Sequence, residues 1–267
     1  MHLALPAVAL AALLATACSG PPPATAQDPD PDGALRVAVL ERLPHDTELF
    51  TQGLEIADRV LYEGTGLVGE SRLRATPLAD PSRVLTEVEL PEPLFGEGLT
   101  VVDDRIWQLT WRGGVAIERD RDSLAERRRV RYDGEGWGIC SQRESPAGWL
   151  VMSNGTAVLT FRDPDTFAAT GTVTVRDRGR PVARLNELEC TAGAVWANVW
   201  QTDRIVRIDP ATGAVTATVD AAGLLTPQQR ARADVLNGIA AVPGADGEFL
   251  LTGKRWPTTF RVRFAPA

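Results

Sequence analysis

Short apolar runs separated by tight polar turns recur along most of the chain. Five segments share one pattern, in which a polar or aromatic residue and a small turn residue precede an apolar strand, a tight turn and a second strand. Because Asp, Asn and Gly supply the positive φ that tight hairpins need, the pattern predicts a β-hairpin in each segment. The five segments are residues 50–66, 95–111, 136–155, 185–200 and 236–256.

The spacing of these segments predicts the fold. They begin 41 to 51 residues apart, which is typical of the four-stranded blades of a β-propeller. The last blade has only three strands of its own, and residues 35–40 can supply the fourth, which closes the ring and protects its strand edges. Thr226, Pro227 and Gln229 form a helix start. The sequence therefore predicts an all-β, five-bladed β-propeller with one short rim helix.

The five hairpins, aligned strand by strand, place ten residues at one end of the propeller. The first strand of each blade lines the central channel, and its start lies beside the end of its antiparallel neighbour. Five-fold repetition therefore brings the starts of the first strands and the ends of the second strands to one mouth. The starts carry Gln52, Glu97, Trp137, Asn186 and Asn237, and the ends carry Gly66, Trp111, Asn154, Trp200 and Lys254.

These ten positions change residue type from blade to blade, whereas a position kept for packing alone would keep one type. The convergence of one carboxylate, several amides, one ammonium and three indoles is typical of a ligand pocket. Lys254 is the only lysine in the chain, which indicates that an arginine fork cannot replace it. Structural alternatives are that the indoles belong to the core, that Asn186 and Asn237 cap strand ends, and that Glu97 forms a structural ion pair with Lys254. For Asn237 we favour the structural interpretation.

The first 33 residues are interpreted as export and linker sequence. Residues 3–17 form an uncharged apolar run that is too short to span a bilayer and is typical of a signal peptide. We expect a lipoprotein-like signal over residues 1–18, with Cys18 as the lipid anchor; the alternative is cleavage near residue 26. Residues 19–33 are predicted to be a Pro/Asp-rich tether and residues 34–267 the propeller. Either cleavage places the folded part in the periplasm or the extracellular space.

Charge and composition exclude several kinds of site. The net charge of −7, without a basic cluster, argues against a nucleic-acid partner. After export only His45 of the two histidines remains, which excludes a histidine-based zinc site or a Ser-His-Asp triad. No glycine-rich nucleotide motif stands between a strand and a helix. We therefore expect no metal and no cofactor, and a chemistry that depends on a carboxylate, a lysine and amides.

Cys140 and Cys190 are the two cysteines outside the export sequence. An oxidising compartment permits a disulfide between them. They stand one step apart in the aligned inner strands of neighbouring blades, and successive residues of a strand face opposite ways. We therefore expect two buried free thiols rather than a disulfide.

Nine short motifs resemble those of the glutamine cyclotransferase family, whose plant and bacterial members are five-bladed propellers. They follow in order along the whole predicted propeller: FTQGL (50–54), YEGTG (62–66), FGEGLT (95–100), QLTW (108–111), GWG (136–138), LNELE (185–189), VWANVW (195–200), VLNGIA (235–240) and TGKRWP (252–257). The resemblance implies a catalytic set of Glu97, Lys254 and Asn186. It also implies a substrate-binding set of Gln52, Phe50, Phe95, Trp111, Trp137 and Trp200.

The same resemblance implies a glutaminyl-peptide cyclotransferase. Such an acyltransferase converts the N-terminal glutamine of peptides and proteins to pyroglutamate and releases ammonia. Glu97 would act as a general acid and base without a metal, in a protein that we expect to be a monomer. A non-catalytic peptide-binding propeller is the alternative, because a fold does not fix a function. A calcium-dependent lactonase-type propeller would need several carboxylates at the mouth, and the aligned set has one.

Overall fold

The computed structural model of the protein describes residue 1, residues 33–142 and residues 148–267. Apart from Met1 and Gly33, the predicted signal peptide, its Cys18 and the tether lie outside the described residues. The first strand, β1 (Ala34–Pro44), is separated in sequence from the blade to which it belongs, which is the last one. All other blades are built from consecutive strands.

Blades 1 to 3 are each a four-stranded antiparallel sheet in sequence order. Blade 1 consists of β2 (Thr51–Ala57), β3 (Val60–Thr65), β4 (Arg72–Pro77) and β5 (Thr86–Glu89). Blade 2 consists of β6 (Gly96–Val102), β7 (Arg105–Thr110), β8 (Val115–Asp120) and β9 (Glu126–Arg131). Blade 3 consists of β10 (Ile139–Gln142), β11 (Trp149–Met152), β12 (Val158–Arg162) and β13 (Ala169–Thr174).

Blades 4 and 5 are joined into one eight-stranded sheet. A two-stranded hairpin, β14 (Arg176–Asp177) and β15 (Arg180–Pro181), precedes blade 4. Blade 4 consists of β16 (Leu185–Thr191), β17 (Ala194–Val199), β18 (Arg204–Ile208) and β19 (Val215–Asp220). After helix α1 (Pro227–Arg230), blade 5 consists of β20 (Leu236–Ala241), β21 (Glu248–Gly253), β22 (Thr258–Pro266) and β1.

Strand β1 closes the ring as the sequence predicts. It pairs antiparallel with β22 over nearly its whole length, from Leu35 opposite Pro266 to Pro44 opposite Thr258. Strand β1 also pairs in parallel with β19, from Ala34 opposite Thr218 to Arg36 opposite Asp220, which the sequence pattern does not predict. The N-terminal strand therefore holds the last two blades together, and the ring cannot open at its chain termini without breaking both ladders.

The hydrophobic core is divided among the interfaces between blades. Five apolar clusters each combine residues of two neighbouring blades, in the order 1–2, 2–3, 3–4, 4–5 and 5–1. The fifth cluster, which contains Leu54 of blade 1 and Leu250 of blade 5, completes the circle. Inner strands are buried on both faces, as in β6, while an outer strand such as β9 is mostly exposed. The predicted five-bladed propeller is confirmed.

The predicted short helix is also confirmed. Thr226 accepts a hydrogen bond from the backbone N–H of Gln229, and the Gln229 side chain accepts one in return from the Thr226 N–H, which forms a complete capping box. Among the described residues, no helix has the length and the apolar character that a membrane crossing requires.

The expectation of free thiols is wrong, because Cys140 and Cys190 form a disulfide with a Cα–Cα distance of 5.4 Å. The two residues do face opposite sides of their own sheets. Consecutive blades, however, pack face to face, so one face of the blade 3 sheet lies against the opposite face of the blade 4 sheet. Two residues that point to opposite faces of neighbouring blades therefore point toward each other, and the bond crosses the interface between blades 3 and 4.

Candidate active site

The structure brings all nine predicted site residues around one cavity of about 390 Å³. They are Phe50, Gln52, Phe95, Glu97, Trp111, Trp137, Asn186, Trp200 and Lys254. A larger cavity, of about 840 Å³, lies at the opposite end of the inner strands and contains none of them. The smaller cavity is the candidate site, because its walls combine aromatic surface with a few polar groups, as small-molecule sites do.

A local irregularity aims the polar residues into this cavity. The pairing of the inner strand with its neighbour shifts register at Gln52, at Glu97 and at Asn186. Such a bulge breaks the alternation of a strand and re-aims the side chain that it carries. Glycine follows the first two of these residues. A Cβ at Gly53 would lie 2.6 Å from the Leu99 nitrogen, so only glycine allows the inner strands to approach so closely at the mouth.

Glu97 is the buried carboxylate of the site, with 4% of its surface exposed. Its Oε1 accepts a hydrogen bond of 3.2 Å from Gln52 Nε2, whereas its Oε2 is buried without a partner among the described residues. Burial raises the pKa of Glu97 well above its ordinary value, although the charge of Lys254 opposes the shift. A carboxyl group with a raised pKa and a free oxygen is suited to exchanging protons with a ligand.

Gln52 is held in one orientation by Asn237. The Asn237 Nδ2 donates to Gln52 Oε1 at 3.1 Å and to the Thr51 carbonyl oxygen at 3.1 Å. Because the carbonyl end of the Gln52 amide accepts from Asn237, its NH₂ end must face Glu97. The prediction that Asn237 has a structural role agrees with this arrangement, since Asn237 is fully buried and does not line the cavity.

Lys254 and Asn186 supply the other polar groups. Lys254 is 5% exposed, and its Nζ lies 4.7 Å from the centroid of the Phe50 ring, in a cation–π contact. Burial lowers the pKa of Lys254, and the charges of Glu97 and Asp234 oppose that shift. The Oδ1 of Asn186 is buried and has no partner among the described residues. The residues that line the cavity therefore include two buried oxygens without a partner among the described residues and a partly desolvated amine.

Two chains of aromatic contacts form the apolar walls. In the first, the Phe50 and Phe95 rings meet edge to face at 6.4 Å, and the Phe95 and Trp111 rings lie 5.4 Å apart. In the second, the Trp137 and Trp200 rings meet edge to face at 5.4 Å. All five rings are only partly buried. They are therefore available to a ligand, unlike the core tryptophans Trp107 and Trp256.

Comparison with known proteins identifies the family of the chain. A family model for glutamine cyclotransferases matches residues 9–264. The chain belongs to the glutamine cyclotransferase family. It is 35% identical over 237 residues to a glutaminyl-peptide cyclotransferase of Arabidopsis thaliana, which covers 86% of this chain and 72% of that protein. The crystal structure of Myxococcus xanthus glutaminyl cyclase matches with a TM-score of 0.77 and 38% identity, over 88% of this chain and 98% of that one.

Membership in the glutamine cyclotransferase family confirms the resemblance found from the motifs. Three of the ten positions that the hairpin alignment places at the mouth do not line the observed cavity. Asn237 lies behind Gln52. A Cβ at Gly66 would fall within 2.6 Å of the Phe95 ring, so Gly66 makes room for that ring. The Asn154 side chain accepts hydrogen bonds from the Thr156 N–H and hydroxyl and so serves its own loop.

Four residues in or beside the cavity are not predicted by the repeat pattern. Gln201, Asp234 and Val235 line the cavity, and all three lie in connections between strands, where the repeat alignment has no equivalent positions. Glu135 lies outside the cavity and accepts hydrogen bonds from the indole N–H groups of Trp111 and Trp137. The position of Glu135, two residues before the GWG-motif tryptophan, was the only available signal for it.

No group of three or more His, Cys, Asp or Glu side chains suited to a metal ion occurs among the described residues. The expectation of chemistry without a metal stays a prediction, and the chelator experiment proposed below tests it.

Proposed function

We propose that the protein is a glutaminyl-peptide cyclotransferase, which converts N-terminal glutamine to pyroglutamate and releases ammonia. The observation that carries the proposal is the buried Glu97, with a raised pKa and an unpartnered oxygen inside an aromatic cavity. Membership in the glutamine cyclotransferase family supports it. The cavity of about 390 Å³ is of a size that admits a single side chain with its backbone rather than a long peptide segment.

The reaction is an intramolecular acyl transfer, and its atoms and protons balance with one acid–base group. The neutral α-amine of the substrate attacks the side-chain amide carbon, and the new C–N bond closes a five-membered lactam. Glu97 accepts one proton from the attacking nitrogen and delivers it to the leaving nitrogen, which departs as ammonia. Because both reacting groups belong to one residue, the enzyme needs to select a conformer rather than to join two molecules.

The remaining polar groups stabilise the tetrahedral intermediate. Lys254 and Asn186 stand on blades 5 and 4, and Glu97 stands on blade 2, so they approach the ligand from different sides of the mouth. In our proposal Lys254 stabilises the oxyanion, and Asn186 with Gln52 holds the substrate amide. Phe50, Phe95, Trp111, Trp137 and Trp200 contact the aliphatic part of the glutamine side chain.

The direct test uses a dipeptide that begins with glutamine, with ammonia release and the loss of ammonia from the peptide mass as readouts. We expect turnover that a chelator does not abolish. Glu97→Gln keeps the shape of the side chain and removes the proton acceptor, so turnover should fall by about 10²–10⁴-fold while the fold is retained. Binding of the dipeptide by the unaltered protein without ammonia release would instead support a non-catalytic peptide-binding propeller.

The finer assignment of the enzyme is part of the same proposal. Because the glutaminyl acyl group moves from one nitrogen to another, we place the activity among the acyltransferases. Its partners are peptide or protein N-termini that bear glutamine. We propose a monomer, which light scattering coupled to size-exclusion chromatography would test.

We further propose that the protein is exported, as a lipoprotein anchored through Cys18 or as a soluble periplasmic or extracellular protein. The uncharged apolar run at residues 3–17 supports export. The Cys140–Cys190 disulfide also supports it, because structural disulfides persist in oxidising compartments. Cell fractionation of the native chain and of Cys18→Ser separates the two forms: loss of membrane association in the variant identifies the lipid anchor, and a cytoplasmic location of both would contradict export.

A further inference from the structure

One carboxylate outside the cavity connects its two aromatic walls. Glu135 lies in the connection between β9 and β10, with 36% of its side chain exposed. Its Oε2 accepts hydrogen bonds from Trp111 Nε1 at 2.8 Å and from Trp137 Nε1 at 3.0 Å. Its Oε1 accepts from Arg112 Nε at 3.0 Å. A single oxygen atom thus joins an indole in the connection between β7 and β8 of blade 2 to an indole just before β10 of blade 3.

Each of these two indoles packs against a further aromatic ring of the cavity wall. Trp111 contacts Phe95 on one side, and the Arg112 guanidinium lies 4.0 Å from the centroid of its ring. Trp137 contacts Trp200 edge to face and packs over Gly155, where a Cβ would lie 2.6 Å from the indole. An indole has one hydrogen-bond donor, so the acceptor that it finds fixes the rotation of the ring. Hydrogen bonds to an ionised acceptor are about twice as strong as neutral ones.

We infer that Glu135 is a positioning residue, which sets the spacing of Trp111 and Trp137 and thereby shapes the cavity for the glutamine side chain. This inference rests on the proposed function for its effect on catalysis, but the hydrogen-bonded arrangement itself can be tested without turnover. A second consequence concerns Glu97. The pKa of Glu97 is raised first by burial and, in part, by the negative charge of Glu135, while Lys254 opposes both.

The two effects of Glu135 separate in two substitutions. Glu135→Ala removes the shared acceptor, the acceptor of Arg112 and the charge, whereas Glu135→Gln keeps a carbonyl oxygen that can accept from both indoles and removes the charge and the acceptor of Arg112. Asp133→Ala is the matched control, because Asp133 is an exposed carboxylate two residues away in the same connection. Asp133 touches neither indole in the contacts described.

For turnover of the glutamine dipeptide, we expect Glu135→Ala to raise KM about tenfold, the effect of losing one charged hydrogen bond, with kcat changed less. Glu135→Gln should keep KM within about threefold of the unaltered enzyme. Its pH profile should shift to lower pH on the limb governed by Glu97, because a neighbouring negative charge has been removed. Asp133→Ala should change neither KM nor the profile.

The structural readout is the set of indole N–H resonances in protein labelled with ¹⁵N-tryptophan. The chain has seven tryptophans, and Trp111→Phe and Trp137→Phe identify the two resonances of interest. Glu135→Ala should shift these two strongly, and Asp133→Ala should shift neither. If Glu135→Ala does not fold, Glu135→Asp, which keeps the charge but is too short to reach both indoles, replaces it.

Unshifted indole resonances in Glu135→Ala, or the same KM in Glu135→Ala as in the unaltered enzyme, would overturn the inference. Equal kinetic losses in Glu135→Ala and Glu135→Gln would overturn the acceptor role as well. Failure of the proposed function would give another result: the unaltered protein would release no ammonia. The indole resonances would still report whether Glu135 holds the two rings.

Discussion

The Gly66→Ala substitution tests how strictly the cavity depends on the position of one aromatic ring. The added Cβ would lie 2.6 Å from Phe95 Cζ and 3.1 Å from Gln52 Nε2. Carbon atoms pack at about 3.5–4.0 Å, so the Phe95 ring must move by roughly 1 Å to restore contact. Gly66 has no positive φ, so the effect of the substitution is steric and is confined to its neighbours.

A displacement of this size has a predictable cost. Phe95 stands two residues before Glu97 and contacts both Phe50 and Trp111, so its movement disturbs the wall and the carboxylate together. Displacement of a positioned group by about 1 Å can lower the rate of turnover about 10²-fold, and we expect a loss of 10- to 100-fold in kcat/KM. Overpacking should also lower the free energy of unfolding by about 1–3 kcal/mol.

The assay is dipeptide turnover, together with urea unfolding at the same temperature. Gly171→Ala is the control, because Gly171 is exposed in an outer strand and its added Cβ would lie 3.7 Å from Phe161, an ordinary contact distance. Gly171→Ala should leave kcat/KM unchanged. Full activity in Gly66→Ala would refute the reasoning, since it would mean that the Phe95 ring can move by 1 Å without consequence for the reaction.

Three further predictions follow from buried contacts. Asn237→Ala removes the side chain that orients the Gln52 amide beside Glu97, the proposed proton-transfer group, so kcat should fall about tenfold, the effect of one lost hydrogen bond, in dipeptide turnover. For the buried pair His45–Glu63, at 2.9 Å, burial opposes both charged forms, but mutual attraction raises the pKa of His45 and lowers that of Glu63. The His45 contribution to stability is full below its unfolded pKa of about 6.5 and is lost as pH rises through the folded value, while that of Glu63 is full above about 4.5 and is lost as pH falls. Urea unfolding should therefore show the largest contribution of the pair between about pH 4.5 and 6.5, and His45→Gln should flatten this dependence. The Cys140–Cys190 bond closes a loop with a sequence separation of 50, so Cys140→Ser with Cys190→Ser should lower the free energy of unfolding by about 2–4 kcal/mol, and a reductant should have no further effect on the double variant.

The sequence predicts the architecture because a propeller repeats one local pattern. The hairpins and their period follow from turn residues and apolar runs, both of which are local properties. The last blade has only three strands of its own, so a count of the strands predicts that the N-terminal strand supplies the fourth. The parallel pairing of β1 with β19 is not predicted in this way, since nothing in the sequence of β1 distinguishes a strand with one neighbour from a strand with two.

The candidate site is predictable to the extent that side-chain direction follows strand position. Glu97 and Lys254 reach the cavity as the alignment predicts, because their strands repeat the geometry of the other blades. Asn154 does not, because its side chain bonds to its own loop. Asp234 and Gln201 stand outside the repeated strands, and their positions depend on loop conformation. The disulfide was missed because the packing of one sheet on the next, rather than the direction within a sheet, decides which thiols meet.

Two buried carboxylates of the channel show how contacts separate a structural group from a reactive one. Glu187 stands where blades 1, 2, 3 and 5 have glycine after their site position, and burial raises its pKa well above normal, as it does for Glu97. Both oxygens of Glu187 have partners: Oε1 accepts from the Leu54 N–H and Oε2 from the Ile239 N–H, so this side chain joins blade 4 to blades 1 and 5. Burial and a raised pKa alone would therefore have selected two candidates. The buried oxygen of Glu97 that has no partner among the described residues is what favours this residue for the proposed proton transfer, because a carboxylate whose oxygens are already occupied has none to offer a substrate.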